Sequence, residues 1–186
     1  MKKIILASQS PARRKLLEDA GFQVIVKPTN IDETVLADET PEAHVQRLAY
    51  AKADKIQPSG DAIIVAADTV VVFENEIIGK ARDADHAREI IQKLSGQTHR
   101  VLTGLCVRIL ENDDEEMILE LAETKVTFRK LTEAEIADYL QSEEWCGKAG
   151  AYGIQNKARD FVAGFEGSVS NVIGLPMELL EQLLKS

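Results

Sequence analysis

The stretch "IILASQSPARRKLLEDAG", Ile4 to Gly21, decides how this chain is read. An apolar run, Ile4 to Ala7, stops at two serines separated by one residue. Pro11 follows, then Arg13 and Leu16-Leu17, and Gly21 closes the segment. An apolar run of this length is a strand, and Ser10-Pro11 is a helix start: the hydroxyl caps free N–H groups and proline occupies the first turn. Gly21 fits the position just past the helix end. The segment therefore predicts a strand over 3–7 turning directly into a helix.

Arg13 is out of place in that helix. It lies three, four and seven residues before Leu16, Leu17 and Ala20, so it shares their apolar stripe. A first-turn cation also opposes the helix dipole, which favours anions there. Either an anion sits at the helix start, gripped by Ser8, Ser10 and Arg13, or Ser10 is a plain cap and Arg13 snorkels to solvent. Arg14 and Lys15 fall off the stripe and read as solvated.

The same alternation continues downstream. A strand is expected near 22–27, polar irregular chain over 28–40, and a helix from Thr40-Pro41 to about Ile56. That helix repeats the anomaly, because Lys52 falls inside the stripe of Val45, Leu48, Ala49 and Ile56. It either snorkels or reaches into a cleft. Ala62 to Phe73 is a valine-rich buried strand, running into a hairpin through Glu74-Asn75-Glu76. Asp68 is its single charge. An unpaired buried carboxylate costs several kcal/mol, so Asp68 is at a strand end, or paired, or on a cation. A helix over 84–94 ends at Gly96. Strands near 99–110 and 117–128 are joined by an acidic turn, Glu111 to Glu116. Thr132 and Glu135 form a capping box. The segment 145–156 is a glycine-spaced loop, 160–165 a strand, and Pro176 opens a last helix.

Alternating elements with a strand-rich middle predict an α/β fold with a mixed sheet, in one domain over 1–186 with two lobes around a cleft. The bulk numbers narrow the function. The chain has 186 residues and is 45% hydrophobic and 28% charged, ordinary for a globular protein. Its net charge of −9 speaks against binding a nucleic-acid polymer. No apolar stretch approaches the roughly 18 residues of a membrane span. The short apolar start reads as a first strand, and the chain as cytoplasmic. Cys106 and Cys146 make no CxxC and read as reduced thiols. His44, His86 and His99 match no metal motif, and His44 and His86 read as surface residues. The dinucleotide fingerprint, the phosphate-loop lysine motif and the serine-nucleophile elbow are all missing, which disfavours an NAD-dependent oxidoreductase and a serine hydrolase.

Eight segments in order, "LASQSPARRKLL", "IDET", "RLAYAKA", "AADTVV", "GKARD", "KLSGQTHRVLTG", "GKAGAYGIQ" and "GSVSNVIGLP", resemble the Maf family of nucleoside triphosphate pyrophosphatases. The resemblance implies an elongated mixed sheet flanked by helices with a central cleft, related to the inosine triphosphatases. It implies cleavage between the α and β phosphates, giving a nucleoside monophosphate and pyrophosphate. On the matching positions, Asp68 is the catalytic carboxylate that takes a proton from water. Glu33 joins Asp68 in holding a divalent metal cation, Mg²⁺ or Mn²⁺. Ser8, Ser10, Arg13, Lys52 and Lys80 contact phosphate. Thr69 and Gln155 mark the branch that prefers dTTP and UTP. Ala12 departs from that branch, which carries Arg there, and implies relaxed selectivity. Ala81 stands where the family usually has Pro, and Gly147 where many members have an acid. A homodimer is also implied. A nucleotide-sensing regulator of septum formation is the alternative reading, and a phosphatase releasing orthophosphate is another.

Overall fold

The structure, a computed structural model, describes residues 3–112 and 114–185. The first strand, β1 (Lys3–Leu6), lies between two parallel neighbours, β2 (Gln23–Val26) and β3 (Ala62–Phe73). Two helices make the crossovers, α1 (Pro11–Asp19) and α2 (Pro41–Asp54). A short β4 (Glu76–Ile78) folds back antiparallel on β3 through Glu74 and Asn75, both at positive φ. Helix α3 (Ala84–Leu94), the long strands β5 (Thr98–Glu111) and β6 (Asp114–Phe128), and helix α4 (Glu133–Gln141) follow. A 3₁₀ turn over Lys157–Phe161 leads into β7 (Val162–Glu166), antiparallel to β6. Two short helices end the chain, α5 (Val169–Ile173) and α6 (Met177–Leu183). The sheet order is β2-β1-β3-β5-β6-β7, with β4 paired to β3. This is the expected α/β class with a mixed sheet.

The chain forms two compact, interleaved units. The first takes the described residues through Asp68, Thr103–Ala122, and the described residues from Gly174 on. Its central strands β1 and β3 bury both faces, as parallel strands do. Ile4, Leu6, Val65 and Ala67 pack under α1 and α6, against Leu17 and Leu180. Ile5, Ala7, Ile64 and Ala66 pack on the other face, against Ala49 and Ala53 of α2. The second unit, Thr69–Leu102 and Glu123–Ile173, has its own core. There α3 and α4 bury Ile90, Ile91, Ile136 and Tyr139 with Phe128 and Phe161. Among the described residues, no helix is long and apolar enough to cross a membrane.

Several expectations shift. The acidic turn narrows at both ends: Glu111 belongs to β5, Asn112 has φ 54°, Asp114 to Glu116 belong to β6, and Asp113 lies outside the described residues. Acidic side chains are tolerated there because these strand positions are exposed. Helix α2 stops at Asp54 rather than Ile56, because Ile56 turns into the core. His44 is not a surface residue: it is 4% exposed, and its burial is supported by a polar contact to Glu39. The predicted strand over 160–165 begins only at Val162. Helix α5 was not foreseen, since "VSNVI" is short and β-branched.

Candidate active site

Helix α1 begins as its sequence dictates. Ser10 Oγ accepts from the Arg13 N–H at 3.3 Å, and Pro11 occupies the first turn. No acidic residue stands in that turn. Arg13 does not snorkel. Its Nη1 donates to Ser8 Oγ at 3.2 Å and to the Ala67 carbonyl at 2.8 Å, and its Nε donates to the Gly174 carbonyl at 2.7 Å. Ser8 Oγ also accepts from the Ser10 N–H at 3.2 Å. Burial pulls the Arg13 guanidinium below its ordinary pKa, and the charges of Asp68 and Glu33 act against that pull. Arg13 therefore faces these carboxylates electrostatically.

Asp68 sits inside β3, not at its end. Of the three states open to it, it is paired. Lys52 Nζ, in the last turn of α2, donates to Asp68 Oδ1 at 2.6 Å. The same ammonium lies 2.7 Å from Glu33 Oε1. Asp68 is 9% exposed and Lys52 7%, so each compensates a charge that burial would otherwise penalise. The position also suits Lys52, since a helix C-terminus favours a cation. Strand pleating aims Asp68 to the same face as Ile64 and Ala66, the face α2 covers.

Ser8, Ser10, Ala12, Arg13, Glu33, Lys52 and Asp68 thus all belong to the first unit, and β1, α1, β3 and α2 position all of them but Glu33. Glu33 comes from the irregular segment between β2 and α2. Thr69, Lys80 and Gln155 belong to the second unit. Thr69 follows Asp68 in β3 and is half-buried. Lys80 is exposed and forms an isolated bridge with Ala149. Gln155 is exposed and lines a cavity of about 550 Å³ with Arg159 and Phe165.

The two carboxylate oxygens that converge on Lys52 are a donor set suited to a hard divalent cation. Mg²⁺ in particular is held by one or two carboxylates, with water and phosphate completing its shell. No group of three or more His, Cys, Asp or Glu suited to a metal occurs among the described residues. Two residues that support the site were missed in the sequence. Arg47, on α2, binds the segment before that helix, and Arg108 binds its C-terminal end. Arg108 donates to the Ala53, Asp54 and Ile56 carbonyls and to Glu115. Its signal was legible: it is the single charge between Val101 and Leu110.

The family described as Maf-like protein matches residues 3–186. The chain belongs to the Maf family. It is 44% identical over 184 residues to the dTTP/UTP pyrophosphatase of Anaeromyxobacter sp. (strain Fw109-5), covering 98% of this chain and 88% of that one. It is 41% identical to the dTTP/UTP pyrophosphatase of Bacillus cereus (strain G9842), over 100% of this chain and 95% of that one. The same name is carried by a Pyrococcus furiosus relative, 42% identical over 100% and 95% of the two chains. A HAM1 protein from Coxiella burnetii shares the fold, with a TM-score of 0.52 at 16% identity over 100% and 99% of the chains. The eight Maf segments distribute over both units; the second, third and fourth supply Glu33, Lys52 and Asp68, and the first supplies Arg13.

Proposed function

We propose that this Maf-family chain hydrolyses nucleoside triphosphates between the α and β phosphates. Water and the triphosphate give a nucleoside monophosphate and pyrophosphate. The observation that carries this reading is the convergence of Asp68, Glu33 and Lys52, with Arg13 electrostatically coupled to both carboxylates, in a chain whose relatives are named dTTP/UTP pyrophosphatases.

The charges explain the chemistry. A triphosphate carries about four negative charges, and catalysis on it is mostly positioning and charge stabilisation. Two carboxylates and two cations sum to no net charge, so the protein alone offers that anion little attraction. Glu33 and Asp68 would hold a divalent cation, which would neutralise phosphate charge and acidify a water. Displaced from the carboxylates, the Lys52 ammonium would be available to phosphate oxygens. Asp68 accepts the proton of the attacking water, as the linkage between α and β phosphates breaks and pyrophosphate leaves. Ser8 and Ser10 orient phosphate at the start of α1, and Arg13 stabilises the charge that builds there.

Lys80 is assigned a further phosphate contact, and Thr69 and Gln155 the choice of base, with dTTP and UTP favoured. The test is product identification from a panel of nucleoside triphosphates with Mg²⁺ or Mn²⁺. Monophosphate plus pyrophosphate supports the reading, and orthophosphate as the first product overturns it.

A further inference from the structure

Glu33 is the one member of the central cluster with no element of its own. It comes from chain that is neither helix nor strand, and its side chain is half exposed. Something outside Glu33 must therefore fix it over Lys52. The structure places Arg47 there, five residues before Lys52 on α2. Arg47 Nε meets Glu39 Oε1 at 2.6 Å, and Nη2 meets Glu39 Oε2 at 2.8 Å. The same Nη2 donates to the Thr34 carbonyl, next in the chain to Glu33, at 3.1 Å.

The acceptor is itself held firmly. The Glu39 side chain is 7% exposed. Its Oε2 also accepts from the Leu36 N–H at 3.1 Å and lies 3.0 Å from His44 Nδ1. Asp32 Oδ1 accepts from the Thr34 N–H at 2.9 Å, which folds the chain around Glu33. A bidentate guanidinium–carboxylate pair fixes direction as well as distance.

We propose that Arg47, clamped on Glu39, is the positioning residue for Glu33. It ties the 28–40 segment to the helix that carries Lys52, so that Glu33 and Lys52 are set by one rigid element. This rests on the pyrophosphatase reading for its activity arm only. Lysine cannot replace Arg47, because an ammonium does not span both Glu39 oxygens and the Thr34 carbonyl together.

The experiment compares Arg47→Lys and the near-isosteric Glu39→Gln, alone and combined with Glu33→Gln, using dTTP with Mg²⁺. Misplacement of a reacting group by about 1 Å costs on the order of 100-fold, so each single variant is expected to lose about 10- to 100-fold in kcat with little change in KM. With Glu33→Gln already present, the same substitutions are expected to cost less than about 3-fold, because what they position is gone. An unchanged kcat in a folded variant, or a full loss regardless of Glu33, overturns the proposal. Hydrogen exchange gives a second readout. The Thr34 and Leu36 amides are expected to exchange at least about tenfold faster in Arg47→Lys, while amides in the middle of α2 do not. Unchanged exchange there overturns the clamp. A wild-type protein that turns over no nucleotide would defeat the functional reading, and the exchange data would still decide the clamp.

Discussion

Lys52 sets its ammonium 2.6 Å from the Asp68 carboxylate, and both residues are buried. The pair is built for compensation, not for strength: breaking a buried pair leaves one charge stranded, typically at about 3–5 kcal/mol. Lys52→Gln is therefore expected to lower the melting temperature, and to lower turnover of dTTP. It also removes the cation that competes for Glu33 and Asp68. Without nucleotide, Mn²⁺ is expected to bind the variant at least about tenfold more tightly than wild type, and to restore more of its melting temperature. Calorimetric titration of Mn²⁺ checks this. Equal affinity would show that the two carboxylates do not form a metal site.

Gly104 marks a close approach of β5 to α2. A Cβ built there would lie 2.2 Å from the Val45 carbonyl oxygen and 2.7 Å from the Gln46 nitrogen. Backbone cannot give way as a side chain does, so α2 must move. Gly104→Ala is expected to cost roughly 1–3 kcal/mol, or about 5 °C in melting temperature, and to reduce turnover because Lys52 moves with its helix. Thermal melts and steady-state kinetics on the same sample decide it. An unchanged melting temperature would contradict the close approach.

His99 makes stability depend on pH. It is 1% exposed, its Nε2 lies 2.7 Å from the Tyr152 hydroxyl, and burial lowers its pKa to about 4. The unfolded chain takes up this proton near the ordinary value of about 6.5, so stability is complete above that pH. As pH falls from about 6.5 to 4, about 3 kcal/mol is lost. Glu39 and Glu135 behave differently. Arg47 and Arg129 hold their carboxyls down, so their contribution is lost only below the ordinary glutamate range near pH 4.3. Urea unfolding at pH 7.5 and 5 is expected to show a large drop in wild type and a smaller one in His99→Phe. Equal drops would show that His99 protonates freely in the fold.

Ala12 stands where the resemblance to the dTTP/UTP branch implies an arginine. It lies one residue before Arg13 in the first turn of α1. Ala12→Arg is expected to raise kcat/KM for dTTP and UTP relative to purine triphosphates by about tenfold, close to what one added charge-assisted contact supplies. Competition assays with mixed triphosphates measure the ratio. No change would remove Ala12 from the selectivity argument.

What the sequence revealed follows from how locally each feature is encoded. Helix α3 was legible over 84–94, because Ala87, Ile90, Ile91 and Leu94 repeat at helical spacing before Gly96. Strand β3 was equally clear from its apolar run. Arg13, Lys52 and Asp68 were visible as charges where apolar residues belong. Their partners were not, because Lys52 and Asp68 meet across 16 residues and Arg13 and Gly174 across 161. Nothing in a polar segment such as 28–40 distinguishes Glu39, nearly buried under Arg47 and His44, from its solvated neighbours. His44 was misplaced for the same reason: its burial depends on a carboxylate that only the fold brings to it.

The proposed role of Asp68, accepting the proton of the water that cleaves the α–β phosphoanhydride, can be tested directly. The direct measurement is the turnover of dTTP with Mg²⁺ by wild type and Asp68→Asn, with products separated and both proteins shown to be folded. Asparagine keeps the shape of the side chain, and Lys52 retains Glu33 as a partner. Wild type is expected to release dTMP and pyrophosphate, and Asp68→Asn to lose at least about 1,000-fold in kcat, as removal of the proton acceptor requires. Full turnover by Asp68→Asn, or release of orthophosphate by the wild type, would contradict the account.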